Sequence, residues 1–188
     1  MSSDPLDSSL VDDVGQPTRL GELIREWHQE LAHDRGGRAA LRRAVDVSDA
    51  FDAEPFLRLC VRAMRHFPAA DRELLADRLA PIALAVAEID VDDAGLSPGR
   101  AFARPTGRGK ALTGGRLRLL AGTEEPELFL RLLRSAIAQT GRRQSVLATA
   151  ELARRWQMSP HVRERARRRL ILDYVASLEN DATLAKND

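Results

Sequence analysis

Apolar residues recur at the helical period in nearly every segment of this chain, and nowhere do they alternate. Leu20, Leu23, Ile24, Trp27 and Leu31 fall at i, i+3, i+4, i+7 and i+11, one stripe down a helix. Phe56, Leu59, Cys60, Ala63, Met64 and Phe67 repeat the pattern, and so do Val162, Ala166, Leu170, Ile171, Tyr174, Val175 and Leu178. No stretch shows the period-two alternation, rich in β-branched and aromatic residues, that marks a strand. A helix with one apolar face must bury it against its neighbours. The spacing therefore predicts an all-α fold of two small helical bundles.

Punctuation residues divide the chain. Thr18, after Pro17, is placed to cap a first helix, and Gly36-Gly37 to end it. The stretch "RGGRAALRRAV" (35–45) follows as a short second helix. A third opens at Glu54-Pro55, because proline suits a first helical turn, and Pro68 should stop it. Asp71 is a good cap for a fourth helix, which Pro81 should kink or divide. "DVDDAGLSPG" (90–99) reads as a linker. A short helical piece at "GRAFA", a basic loop at 104–115 and helices near 112–121, 126–139 and 145–156 come next, and a long last helix runs from Pro160 to Leu178. The expected organisation is a flexible acidic tail over 1–17, an N-terminal lobe over 18–93, a basic C-terminal lobe over 94–179 and a flexible tail over 180–188.

Several function classes are poorly served. No apolar run approaches the ~20 residues of a membrane span, and the acidic, polar N-terminus is unlike a secretory leader. A lone cysteine, Cys60, cannot form an internal disulfide, which fits a reducing cytoplasm. Cys60 lies on an apolar stripe, as a buried structural thiol does. His28 and His33 are five residues apart, about 140° around a helix, so they do not share a face for a metal. "GRGKALTGG" has the wrong spacing for a phosphate loop and no strand before it. No nucleophile–base pair or paired acids stand out. No enzyme, metal or cofactor is expected.

Charge is the informative quantity. The 188 residues carry a formal +1, yet residues 100–169 hold 17 Lys and Arg against 5 Asp and Glu, a local +12, leaving −11 elsewhere. All the cations but Lys110 and Lys186 are arginine. Genome composition can produce an arginine preference; it does not produce clustering. Arg35, Arg38 and Arg42 form a line at i, i+3 and i+7 with Arg43 beside it. Distributed cations of this kind give sequence-independent, salt-sensitive binding to phosphates. Aromatics are only 4% of the chain, so a base-stacking platform does not fit.

One duplex-reading alternative is present. "TAELARRWQMSPHVRERARRRL" (149–170) has the outline of a helix-turn-helix regulator, with Ala153 and Met158 in place and Ser159 as a cap. Against it, Gln157 occupies the turn position usually held by glycine, and Arg163 takes a normally buried apolar slot.

The order of these features resembles the small subunit of the type I-E CRISPR Cascade complex, the CasB family. The tryptophan-bearing first helix followed by Gly37, Ala40, Leu41, Arg42 and Arg43 is similar to that family's N-terminal half. "GRAFA" (Gly99 to Ala103), "GGRLRLLAGTEEPELFLRLLRSAI", and Trp156 with "LDYV" are similar to the rest, over about residues 18–178. The family's Ser-Glu before the "GGRLRLL" arginine is replaced by Gly114-Gly115, and its Asp-Trp pair is absent near Ala148-Thr149. The resemblance implies a non-catalytic cytoplasmic protein acting as a pair of copies, with other Cascade subunits, crRNA and target DNA as partners. It would contact the crRNA–target region and hold the displaced strand of the R-loop. The candidate nucleic-acid contacts are Arg38, Arg42, Arg43, Arg100, Arg116, Arg131, Arg134, Arg142 and Arg143.

Overall fold

A computed structural model describes residues 9–12, 16–67 and 72–184, with side chains through 179. Pro68 and Asp71, expected to stop one helix and cap the next, lie outside the described residues. The helices are α1 (Arg19–His33), α2 (Arg35–Arg43), α3 (Glu54–His66), α4 (Arg72–Ala87), α5 (Pro98–Ala103), α6 (Gly114–Gly122), α7 (Pro126–Gln139), α8 (Val146–Trp156) and α9 (Pro160–Leu184). A 3₁₀ turn at Ser48–Asp52 leads into α3. The fold is all-α, as the periodicity requires.

Local chemistry explains most boundaries. Thr18 caps α1 by accepting from the Gly21 N–H, Thr113 caps α6 and Ser145 caps α8. The first helix ends at His33 rather than at the glycine pair. Asp34 is both its C-terminal residue and the N-cap of α2, whose Gly37 N–H it receives at 2.8 Å, so Gly36 and Gly37 sit inside the second helix. Pro81 does not divide α4, which continues unbroken to Ala87. Beside this proline the Gln157 amide donates to the Arg78 carbonyl.

α4 is the centre of the molecule. Every residue from Ile82 to Ile89 is buried, and α1, α2, α3, α7 and α8 all pack on it. One continuous core runs from Leu10 to Tyr174 and takes residues from both sides of the expected 93/94 boundary. The segment expected to be a linker is held down. Val91–Asp92 (β1) pairs in parallel with Arg143–Gln144 (β2), a two-residue ladder too short to leave a sequence pattern. Its neighbour α5 lies tightly against α9. A Cβ on Gly99 would stand 2.5 Å from the Leu170 carbonyl, so only glycine allows that approach.

The described part of the 1–17 segment is packed rather than free. Leu10 is fully buried, its N–H donates to Glu151, and the Thr18 N–H donates to its carbonyl. An apolar side chain at the end of a short acidic stretch supplies the burial that composition alone conceals. At the other end the backbone of α9 stays helical to Leu184, beyond Leu178. Trp156 stacks on Phe129 with centroids 3.7 Å apart and donates to the Thr123 carbonyl, while Trp27 donates to the Pro55 carbonyl. Both indoles thus satisfy their one polar group inside the core.

Candidate nucleic-acid interface

The nine candidate arginines divide into two sets. Four converge on the end of α4. Arg134, from α7, is buried and donates to the Glu88 carboxylate and to the Leu41, Arg42 and Ala44 carbonyls. Those carbonyls are the orphan acceptors at the C-terminus of α2, so Arg134 caps that helix from outside. Arg42 caps α4 in the same manner, donating to the Ala87 and Glu88 carbonyls and to Asp90. Arg142 donates to the Glu88 carbonyl and pairs with its carboxylate. Arg38 reaches Asp90 at 3.2 Å, and burial together with the nearby Arg42 cation pulls its pKa down. Two of its guanidinium nitrogens, Nε and one Nη, are buried without an acceptor. Four cations thus share two carboxylates, and no local pattern shows it, because Glu88 meets Arg134 and Arg142 from 46 and 54 residues away.

Histidine belongs to the same junction. His28 is buried, and its Nε2 lies 2.9 Å from the Ile89 carbonyl, so the ring donates there in its neutral form. Burial lowers its pKa, with the Ile89 hydrogen bond opposing. Cys60 is buried and its thiol is pushed up to about 11 by desolvation, an inert structural group. Among the described residues no cluster of three or more metal-ligating side chains occurs. Among them, too, no helix is long and apolar enough to cross a membrane.

The second set is open. The side chains of Arg43, Arg100 and Arg131 are exposed and have no hydrogen bond or ion pair within the described residues. Arg116 is exposed and rests on the neutral Gln139 amide. Arg143 pairs with Asp93 at 3.0 Å but is half exposed. Residues outside the candidate set add further open charge: the side chains of Arg108, Lys110, Arg118, Arg165 and Arg169 are exposed and unpaired among the described residues. By contrast, several first-half arginines are matched to acids, Arg62 to Glu30 through both guanidinium ends and Arg58 to Asp34 and Glu54. The acidic surplus of the first half is therefore partly neutralised in place, and part of the basic surplus of the second half faces solvent.

Two helices joined by a short turn, α8 and α9, do occupy the helix-turn-helix stretch, but the turn lacks that motif's conformation. Gln157 has φ −83° and ψ −7°, right-handed helical values, where that motif turns through a left-handed residue. Arg163 is tied to the Glu124 and Met158 carbonyls. Nor is there a stacking platform: of the eight aromatics Phe51 is the one exposed, and it packs edge-on to Phe56.

These features define an all-α protein with a cationic surface and no catalytic constellation among its described residues. The family model for CRISPR-associated protein Cse2 matches residues 37–174. The chain belongs to the Cse2 family, of which CasB is another name. A chain in the crystal structure of E. coli Cascade bound to a PAM-containing dsDNA target is 23% identical over 85% of this chain and 96% of that one, with a TM-score of 0.58. That likeness establishes a shared fold. No curated relative matches the chain.

Proposed function

We propose that this protein is a non-catalytic subunit of an RNA-guided Cascade complex in the cytoplasm, working beside other Cascade subunits and a second copy of itself. There it contacts the crRNA–target region and steadies the displaced DNA strand. The observation that carries this reading is the open cationic surface of Arg43, Arg100, Arg116 and Arg131, without an exposed base-stacking aromatic except Phe51. Such a surface tracks phosphates and ignores base identity, which suits a strand that differs for every target. R-loop formation is nearly balanced energetically, so a few backbone contacts tip it. Of the nine candidates, Arg43, Arg100, Arg116, Arg131 and Arg143 have charge to offer a ligand. Arg134 is spent inside the fold, with Arg38, Arg42 and Arg142 largely committed at the same junction.

The test is a reconstituted complex carrying Arg43→Ala, Arg100→Ala and Arg131→Ala together. R-loop lifetime should shorten, and the slope of log affinity against log salt should shrink by about 2, roughly 0.7 per lost phosphate contact on a single strand. An unchanged slope with an intact complex would count against the reading.

A further inference from the structure

A groove of about 440 Å³ lies between the loop before α6, the end of α7 and the β1–β2 ladder; three glycines and three arginines line it, with Thr106, Ala138, Gln139 and Val91. Two left-handed turns shape it. Thr106 to Gly109 is a tight turn closed by the Gly109 N–H on the Thr106 carbonyl, with Gly107 at φ +60°. Opposite, α7 ends through Gly141 at φ +98°, and the Arg142 N–H reaches back to the Ile137 carbonyl. A Cβ on Gly141 would meet the Thr106 carbonyl at 2.2 Å, so this glycine lets the two turns close on each other. At the tip of the first turn the N–H groups of Gly107 and Arg108 find no acceptor among the described residues. Consecutive free amides around a left-handed residue form an anion-binding concavity. The Arg108 guanidinium is exposed and unpaired beside them. Across the groove stand Arg142, committed to Glu88, and Arg143, half exposed and paired with Asp93.

We propose that this groove is a seat for one backbone phosphate of a single nucleic-acid strand, gripped by the Arg108 guanidinium and the adjoining amides. The inference rests on the proposed function and adds a defined contact point to a diffuse surface. A path leads into it. Arg131, Ser135 and Ala138 are exposed on α7 at i, i+4 and i+7, about 10 Å of helix, and Ala138 lines the groove. A strand whose phosphate enters at Arg131 can follow that small-residue track, past Arg116 on Gln139, to Arg108. The phosphodiester chemistry is the same in crRNA and in displaced DNA.

The experiment places a photo-cross-linking residue at Ala138, and separately at exposed Val45 beside Arg43, in a reconstituted complex with crRNA and each DNA strand differently labelled. We expect an Ala138 adduct with one nucleic-acid strand, its label naming the source, and loss of most of that adduct with Arg108→Glu or Arg108→Gln. Arg108 has no partner within the described residues, so neither variant should move the melting temperature. An Ala138 probe that yields only protein adducts, or an adduct indifferent to Arg108, overturns the groove. If Val45 still marks nucleic acid in that case, the proposed function stands without it. If neither position does, both fall.

Discussion

Two sets of arginines in one small protein behave oppositely, and the contrast lies in what waits beside each. At the end of α4, Arg38, Arg42, Arg134 and Arg142 close over Glu88, Asp90 and a row of helix-terminal carbonyls. On the outer surface Arg43, Arg100 and Arg131 meet only solvent within the described residues. Residue type is constant, so the difference is topological. Two helices, α2 and α4, end at this junction, and each terminus brings unpaired carbonyls that a planar multi-donor cation can satisfy at once. The junction spends charge on architecture, and the surface keeps it for a partner.

The largest test of that contrast is Glu88→Ala. Removing this carboxylate leaves Arg134 buried and unpaired and frees Arg142, which should cost about 3–5 kcal/mol. Denaturant unfolding would show it as a lower midpoint at unchanged slope. A midpoint like the parent's would mean the four arginines relax into solvent, and the division between the sets would dissolve.

Acid should separate the regions next. Glu151 is buried; desolvation would raise its pKa, but hydrogen bonds from Arg154, the Leu10 N–H and Arg155 overcome it and hold the carboxyl down to about 2. Its folded value lies below the unfolded 4.5, so its contribution is complete above that pH and is lost as pH falls toward 2. Between pH 4.5 and 3 the loss amounts to about 2 kcal/mol, at about 1.4 kcal/mol per pH unit. His28 acts with the same sign, because its lowered pKa favours the neutral folded ring and proton uptake below its ordinary 6.5 favours unfolding. Thermal melts from pH 7 down to 3 should fall steadily in the parent. They should fall less in Glu151→Gln, which starts lower. A parallel fall in both would refute the assignment.

How much of this was legible beforehand follows the range of each interaction. Caps such as Thr18 and stripes such as Leu20 to Leu31 are set by neighbours three or four residues away, and the sequence shows them. The place of Glu88 depends on Arg134 and Arg142, 46 and 54 residues distant, and no local pattern encodes such a pairing. The same holds for the β1–β2 ladder and for Leu10 under Glu151. The asymmetry of charge was visible as a count; which arginines hold that charge open was not. Arg108 falls within the basic loop over 104–115, yet nothing local in the sequence encodes the closure of Gly141 on Thr106 that makes a groove of it.

The finest test compares adjacent residues. Arg42 and Arg43 are one peptide bond apart and 100° around the helix, so one faces the end of α4 and the other faces solvent. Arg42→Ala removes donors to two helix-terminal carbonyls and to Asp90, a loss of about 1–3 kcal/mol. Arg43→Ala touches no partner among the described residues and should change stability by less than about 0.5 kcal/mol. In nucleic-acid binding the order reverses: Arg43→Ala lowers the salt slope by about 0.7, whereas Arg42→Ala lowers affinity only as far as it loosens the fold. Equal destabilisation by both would place Arg43 in the junction after all. A salt slope reduced by Arg42→Ala alone, with unfolding unchanged, would put the strand at Asp90 and show that a phosphate can displace a carboxylate there.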